Sequence, residues 1–137
     1  MLDTNVISDL MRNPGGVAAQ HVQHQARRAP SALIMTSLIV QCELLFGLAK
    51  RPSVRWQQRY DDVIEAIEVR PLDLHVAKAY AHLRAALERN GAQLGANDLL
   101  IAAHAQALGA TLVSADAAFA LVPGLVVANW LISPIPA

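Results

Sequence analysis

The chain has little of what marks secreted, membrane-spanning or disordered proteins. It carries a single cysteine, Cys42, which cannot form an internal disulfide and which we expect in the core, since it lies in an apolar segment. Only 16% of the residues are charged and 54% are hydrophobic, which excludes a disordered chain. The longest apolar run, residues 37–49, is too short for a transmembrane helix and contains Gln41 and Glu43. Since a secretion signal is also lacking, we expect a cytoplasmic protein.

An excess of positive charge is also absent. Eleven basic and eleven acidic residues give a formal net charge of zero, which argues against nucleic-acid binding through bulk charge. The basic residues are nevertheless grouped, at 27–28 and at Lys50, Arg51, Arg55 and Arg59. Solvated helix faces are the ordinary interpretation of such groups, and a rim that contacts phosphates is the alternative.

Short apolar runs alternate with helical segments along the chain. Strands are predicted at 33–35, 68–70, 111–113 and 125–127, after an apolar stub of Met1 and Leu2. Helices are predicted between them, with Thr36 or Ser37, Ser53 and Asp73 among the caps and Asn97 or Asp98 at the start of the last long helix. This order predicts an α/β protein in which a small parallel sheet is flanked by helices on both sides. We expect one domain over 1–137, with 130–137 as an irregular tail.

Four carboxylates lie in apolar sequence, at or near predicted strand–helix junctions. They are Asp3, Glu43, Asp98 and Asp116, called here the acidic quartet. Burying an unpaired carboxylate costs several kcal/mol or more. Because sites in open parallel sheets form at the carboxyl ends of strands, the four side chains are predicted to converge there. A hard divalent cation between them would offset the cost of burial.

Each acid also has a structural interpretation. The helix of Glu43 is apolar on nearly every face, which predicts a buried helix whose acid is either held by a partner or reaches solvent at an edge. Asp98 and Asp116 suit helix caps, and Asp3 suits a turn or an N-cap. The histidines show no metal-ligand clustering, and His104 is expected to be packed or half-buried rather than a proton shuttle. Only the shared topological position of the quartet favours a site.

Four short motifs occur in order and at appropriate spacing. They are Leu2-Asp3-Thr4-Asn5-Val6, Glu43-Leu44, Asn97-Asp98-Leu99-Leu100-Ile101-Ala102-Ala103 and Ser114-x-Asp116-x-x-Phe119. Together they resemble the PIN-domain ribonucleases, and in particular the VapC-type toxins of bacterial toxin–antitoxin pairs. The resemblance covers essentially the whole chain, including the stretch from Val122 to Trp130.

The resemblance implies a PIN-like α/β/α sandwich and a metal-dependent endoribonuclease whose catalytic and metal-binding residues are the acidic quartet. Mg²⁺ is the expected cofactor, with Mn²⁺ as a possible substitute. Thr4, Asn5 and Ser114 are expected as hydrogen-bond partners of the ligands. The implied partners are an RNA substrate, a small cognate antitoxin and a second copy of the chain, and no membrane is expected.

The sequence departs from the family pattern at two places. Ser114 stands where threonine is common, which is a mild change because the hydroxyl is retained. Only Met1 and Leu2 precede Asp3, where relatives usually have a few more apolar residues. We therefore expect either a start that lies further upstream or a shortened first strand that holds Asp3 less firmly.

Two other functions compete with the nuclease. One is a non-catalytic PIN-like module whose acids dock a protein partner, for example through an arginine. The other is a phosphatase or phosphoacceptor with Asp3 as nucleophile. Such sites need a lysine beside the phosphoryl group, and the two lysines, Lys50 and Lys78, both lie in helical segments. This argues against the phosphatase.

Aromatic residues are scarce, and three of them are candidate anchors of a homodimer interface. These are Trp56, Tyr60 and Tyr80, for which packing in the core is the alternative.

Overall fold

A parallel sheet of very short strands organises the computed structural model, which describes residues 1–136. Strand β1 (Met35–Ser37) pairs with β2 (Glu68–Arg70), and β3 (Leu112–Val113) pairs with β4 (Val127–Ala128). Leu2 joins the two pairs through parallel bridges to Thr36 and Val113. The order across the sheet is therefore β2, β1, the N-terminal stub, β3, β4. Because all pairings are parallel, the carboxyl ends of the strands share one edge.

Six α-helices and one 3₁₀ helix pack around the sheet within residues 1–136. They are α1 (Thr4–Arg12), α2 (Val17–Arg28), α3 (Leu38–Lys50), α4 (Val54–Ala66), α5 (Leu74–Arg89), α6 (Ala96–Ala107) and the 3₁₀ helix Ala117–Leu121. Ser37, Ser53 and Asp73 cap α3, α4 and α5, each accepting a hydrogen bond from a backbone N–H in the first turn. The predicted caps of α4 and α5 are confirmed, and of the two residues predicted for α3, Thr36 and Ser37, it is Ser37 that caps the helix.

The core lies between the sheet and the helices. Val6 and Ile7 of α1, Ile101 of α6 and Phe119 of the 3₁₀ helix are fully buried. The alanine-rich segment Ile101–Ala105 is buried along its whole length, because small side chains allow α6 to approach its neighbours closely. Across the described part of the chain, every helix is too short or too polar to span a lipid bilayer.

Residues 129–136 form neither helix nor strand, but they are held against α2. Trp130 stacks on His21 with ring centroids 5.3 Å apart and planes 9° from parallel. The Nε2 atom of His21 lies 2.8 Å from the Ser133 carbonyl oxygen. A buried histidine on α2 thus anchors the C-terminal segment. Ala137 lies outside the described residues.

Two predicted strands are displaced by one or two residues. The strand predicted at 33–35 runs from Met35 to Ser37, and the one predicted at 125–127 is Val127–Ala128. In both cases pairing decides the position, since Thr36 must face Leu2 and Ala128 must face Val113. An apolar run shows that a segment is buried, but the partner strand sets its register.

Two expectations about helices are wrong. Helix α6 begins one residue early, with Gly95 at the N-cap and no capping side chain, so Asn97 and Asp98 both lie in its first turn. Helix α3 is not buried on every face, because Cys42 is exposed and Phe46 keeps 67% of its surface in solvent. Of the aromatic candidates for an interface, Tyr60 is buried in the core.

Candidate active site

Asp3 lies at the carboxyl end of the N-terminal stub and is 4% exposed. Its backbone N–H donates to the Val113 carbonyl at 2.9 Å, which fixes it beside the end of β3. The Ser114 hydroxyl and the Asn5 amide donate to its Oδ2 atom, at 2.7 and 3.2 Å. Its Oδ1 atom accepts from the Thr4 N–H at 2.8 Å and so caps α1. The carboxylate is held by both of its oxygen atoms.

Asn5 and Ser114 connect Asp3 to the loop that carries Asp116. The Asn5 amide group donates to the Ser114 hydroxyl at 3.1 Å, and its oxygen accepts from the Ala115 N–H at 3.1 Å. The Asp116 N–H donates to the Ser114 hydroxyl at 3.0 Å. The two bonds of Asn5 cross more than a hundred positions in sequence, so they lock the first turn of α1 to the end of β3.

Glu43 reaches the same region from the second turn of α3. The Thr4 hydroxyl donates to its Oε1 atom at 3.1 Å, so Thr4 contacts both Asp3 and Glu43. The side chain is half-buried at the edge of a helix whose inner face packs on the core through Val40 and Leu44. Both interpretations of Glu43 therefore hold, because a partner binds one oxygen while the carboxylate stays open to solvent.

Asp98 and Asp116 complete the group. Asp98 is half-buried in the first turn of α6, where the positive end of the helix dipole favours a carboxylate. Asp116 is exposed and caps the 3₁₀ helix, since its Oδ1 atom accepts from the Ala118 N–H at 2.9 Å. Repulsion from Asp3 and Asp116 acts on the Asp98 carboxylate, which places all three within electrostatic range of one another.

The surroundings of three quartet acids, Asp3, Glu43 and Asp98, favour the protonated form of each carboxyl group. Burial raises the pKa of Asp3, and repulsion from Asp116 adds to this, although hydrogen bonds from Ser114, Thr4 and Asn5 oppose it. Burial also raises the pKa of Glu43, with further repulsion from Asp3 and Asp98. The pKa of Asp98 is raised by burial and then by its acidic neighbours. Negative charge is therefore concentrated beyond what the protein itself compensates.

Basic side chains do not neutralise the quartet. Within residues 1–136 the two ion pairs join Arg70 to Glu68 and Arg84 to Glu88, and neither includes a quartet acid. Lys50 and Lys78 are exposed at the end of α3 and on α5, respectively. A phosphatase-like site with a lysine beside Asp3 therefore gains no support.

A cleft of about 330 Å³ between α1, α3 and α4 opens beside the quartet. Thr4 and Glu43 belong to its lining, which is otherwise largely apolar through Met11, Leu44, Leu48 and Trp56. The exposed Arg12 and Arg51 and the helical Gly47 also border it. We call it the α1–α3–α4 cleft. Sequence patterns do not predict this cleft, because its only signals are the Lys50–Arg51 pair and the aromatic Trp56.

A second feature was also missed. The Nδ1 atom of buried His104 lies 2.8 Å from the Ser37 hydroxyl, in a bond between α6 and the start of α3. Ser37 is one of the two residues predicted to cap α3, and His104 is predicted to be packed or half-buried; the structure shows Ser37 as the cap and His104 as buried. No local pattern links two residues that are 67 positions apart.

Comparison with known proteins identifies the family. Residues 1–125 match the sequence model of the PIN domain. The chain belongs to the PIN-domain family. This PIN-domain chain is 32% identical to Ribonuclease VapC2 from Rickettsia felis over 133 residues, which cover 95% of this chain and 96% of that protein. It thus lies among the VapC ribonucleases, as the motifs of the quartet indicated.

Solved structures agree with this assignment. The crystal structure of VapBC2 from Rickettsia felis, bound to a DNA fragment from the promoter, superposes with a TM-score of 0.87 at 31% identity, covering 95% of this chain and 97% of that one. VapBC-5 from Mycobacterium tuberculosis, a member of the VapBC family of toxin–antitoxin systems, gives a TM-score of 0.61 at 26% identity over 69% of this chain and 79% of that one. The PIN-like fold expected from the sequence is confirmed.

Proposed function

We propose that the chain is a divalent-metal-dependent endoribonuclease and acts as the toxin of a toxin–antitoxin pair. The observation that carries the proposal is the mutual repulsion of four carboxylates from separate parts of the chain at one edge of the sheet, none of which has a basic partner among residues 1–136. Membership of a family that includes VapC ribonucleases supports RNA as the substrate. Asp3, Glu43, Asp98 and Asp116 are the proposed catalytic and metal-binding residues.

The donor set fits a hard divalent cation. All four groups are carboxylates, and three have a raised pKa that a nearby positive charge would reverse. No group of three or more His, Cys, Asp or Glu side chains within residues 1–136 is already arranged to hold an ion directly. Mg²⁺ suits this arrangement, because it keeps several waters and binds through one or two carboxylates plus substrate phosphate. Mn²⁺ is the expected substitute.

The protein's own groups supply position and polarity. Ser114, Asn5 and Thr4 fix the Asp3 carboxylate before any ligand arrives, so little reorganisation is needed on binding. Thr4 holds one oxygen of Glu43 and leaves Oε2 free to face the ligand. Exposed Asp116 orients water at the mouth of the site. Held by the quartet carboxylates, a divalent cation would supply polarisation of the scissile phosphate and a lowered pKa of a nearby water.

Cleavage of RNA tests the proposal. With Mg²⁺ present, purified protein should cleave RNA, and EDTA should stop the reaction. Asp98→Asn should lower kcat by on the order of 10² to 10³, the usual cost of losing one electrostatic stabiliser. The matched control is Asp62→Asn, an isosteric change at an exposed acid on α4, which should leave the rate unchanged. Equal rates in the two variants would remove the quartet from the mechanism, and metal binding without cleavage would favour the non-catalytic module.

We also propose that the cognate antitoxin docks a peptide segment in the α1–α3–α4 cleft. The cleft offers an apolar lining of the size of a few side chains, and it leads to unpaired carboxylates that attract an arginine from a partner. Arg12 and Arg51 at its border favour acidic residues on the same segment. Occupation of this cleft would cover Glu43 and so block the site.

Homodimerisation is the third part of the proposal. The exposed face of α3 carries Leu38, Cys42, Leu45 and Phe46, which follow helical spacing on one stripe. A contiguous apolar stripe is unusual on the surface of a monomer and typical of an interface between subunits. Since the same helix carries Glu43 on its edge, the dimer contact would also brace the site.

A further inference from the structure

His104 is a polar side chain in an otherwise apolar helix interior. It is 1% exposed and lies between Ala103 and Ala105, both fully buried. Its Nδ1 atom makes a 2.8 Å hydrogen bond with the Ser37 hydroxyl, in a contact that is itself buried. A directional bond in this place restricts the approach of α6 to β1 and α3 more than an apolar contact would, because its length and angle are both limited.

Ser37 is the hinge between β1 and α3. It is the last residue of β1 and the N-cap of α3, where its Oγ atom accepts from the Ile39 N–H at 3.1 Å. We assign the hydroxyl proton to the bond with the Nδ1 atom of His104, which then serves as the acceptor of a neutral ring. The hydrogen bond between His104 and Ser37 therefore involves the same hydroxyl group that caps α3, the helix that carries Glu43.

The imidazole is suited to this role. Burial lowers the pKa of His104, and the charge of Arg70 acts in the same direction. Asp73 and the Pro71 carbonyl oppose these effects, so three groups between the end of β2 and the start of α5 act on the ring. A ring that is neutral at physiological pH keeps Nδ1 available as an acceptor.

His104 and Ser37 each lie six residues from a quartet acid on the same helix. Asp98 precedes His104 by six residues on α6, and Glu43 follows Ser37 by six residues on α3. Six helical residues span about 9 Å along each axis. We propose that His104 is a positioning residue, whose hydrogen bond to Ser37 sets the separation of α6 from α3 and therefore of Asp98 from Glu43.

This inference rests on the proposed metal-dependent function. It adds His104, a residue outside the quartet, to the groups that set the geometry of the site. Asp98 makes no hydrogen bond with another side chain of the described residues, so its place depends on how α6 is seated. Metal ligands need neighbouring groups that fix their positions, and the buried hydrogen bond between His104 and Ser37 is such a constraint.

Two substitutions separate the hydrogen bond from packing. His104→Asn puts an amide oxygen close to the position of Nδ1, but it leaves a smaller side chain. His104→Gln preserves more of the volume, but it moves the amide one atom further out. If packing alone matters, Gln should be the better replacement; if the bond to Ser37 matters, Asn should be. The two hypotheses therefore predict opposite rankings.

The readouts are the Mn²⁺ dissociation constant from calorimetry, kcat and KM on RNA, and the free energy of unfolding in urea. We expect His104→Gln to weaken Mn²⁺ binding by about tenfold, at the lower end of effects seen when support of a metal ligand is lost. Its kcat should fall with little change in KM. His104→Asn should stay close to wild type in both. Equal affinities in the two variants, or a better Gln variant, would overturn the proposal.

His21 provides the matched control. It is also buried and hydrogen-bonded, but it ties the C-terminal segment to α2. His21→Asn and His21→Gln should change the free energy of unfolding without changing Mn²⁺ affinity. If wild type binds no Mn²⁺, the proposed function fails. In that case, crystal structures of the two His104 variants test the positioning role of His104. An unchanged distance between Asp98 and Glu43 in His104→Gln would refute that role.

Discussion

Asp3 uses its two oxygen atoms for different purposes. Oδ1 accepts from the Thr4 N–H and caps α1, while Oδ2 is fixed by Ser114 and Asn5 toward the candidate site. Asp116 likewise caps a helical turn through Oδ1. The structural interpretation of both acids as helix caps is therefore confirmed, and it is compatible with the proposed role in the site. Asn is a better test substitution than Ala at such positions, because it removes the charge and keeps the capping oxygen.

The raised pKa values of Asp3, Glu43 and Asp98 predict a stability that depends on pH. Each group binds its proton more tightly in the folded protein than in the unfolded chain. Its contribution is present below the ordinary values of 3.8 for Asp and 4.5 for Glu, and it is lost as pH rises through the raised pKa. The free energy of unfolding of metal-free protein should therefore fall from these values toward neutral pH.

Urea unfolding at several pH values checks this, with Asp98→Asn beside wild type. The variant should lose less stability as pH rises, because one titrating group and one source of repulsion are gone. His104, whose pKa is lowered, has the opposite pH dependence, but it is common to both proteins and cancels in the difference. Parallel curves for the two proteins would show that Asp98 is not coupled to the other acids.

A divalent cation should reverse the repulsion. At a hundredfold excess over its dissociation constant, Mn²⁺ should stabilise the folded protein by about 2.7 kcal/mol. Differential scanning calorimetry should therefore show a higher Tm with Mn²⁺ than with EDTA. Asp98→Asn should reduce the increment, and the exposed Asp62→Asn should retain it. A wild-type Tm that does not change when Mn²⁺ is added would contradict the proposed metal site.

Sequence patterns located the quartet because each acid stands beside a strand or early in a helix, and the carboxyl ends of parallel strands must meet. The hydrogen-bond partners Thr4, Asn5 and Ser114 could be predicted for the same reason, since they are sequence neighbours of Asp3 and Asp116. The His104–Ser37 hydrogen bond could not be predicted, because it depends on how α6 packs across the sheet. Local sequence contains the caps, whereas tertiary packing decides which distant polar groups meet.

At the scale of the element, α3 shows how an apolar composition misleads. Its sequence predicted burial on every side, yet Phe46 and Cys42 face solvent while Val40 and Leu44 pack on the core. The strands show a complementary lesson. Leu33 is apolar and exposed, whereas Thr36 is fully buried and donates to the Leu2 carbonyl at 2.7 Å. Hydropathy alone does not mark the register of a two- or three-residue strand.

Gly47 offers a test of the α1–α3–α4 cleft. A Cβ atom added there would meet nothing within 4 Å, so a side chain can be introduced without disturbing the core. Gly47→Leu should fill the cleft and weaken antitoxin binding by at least about tenfold, or roughly 1.4 kcal/mol. Either Leu or Ala should stabilise α3 by about 0.5 to 1 kcal/mol relative to glycine.

Binding of the small protein encoded beside this chain, measured by calorimetry, checks the prediction. Gly47→Ala is the control, since it gives the same gain in helix propensity with far less bulk. Equal affinities for the Leu and Ala variants would place the partner's segment elsewhere on the surface.

At the scale of the whole molecule, the apolar stripe on α3 predicts the oligomeric state. Wild type should be a dimer at micromolar concentration in size-exclusion chromatography with light scattering. Phe46→Glu should give a monomer, because a charge would be buried without a partner. Val54→Glu is the control, since Val54 is 90% exposed at the start of α4 and a glutamate there suits the helix dipole. A monomeric wild type would refute the interface.

The bonds between Asp3, Asn5 and the Ser114 region have a consequence for biosynthesis. A nascent polypeptide that has left the ribosome only as far as residue 95 lacks Asp98, Asp116 and the hydroxyl that orients Asp3. The stub at the N-terminus also has no β3 to pair with at that stage. The proposed site therefore cannot assemble until translation has delivered nearly the entire chain.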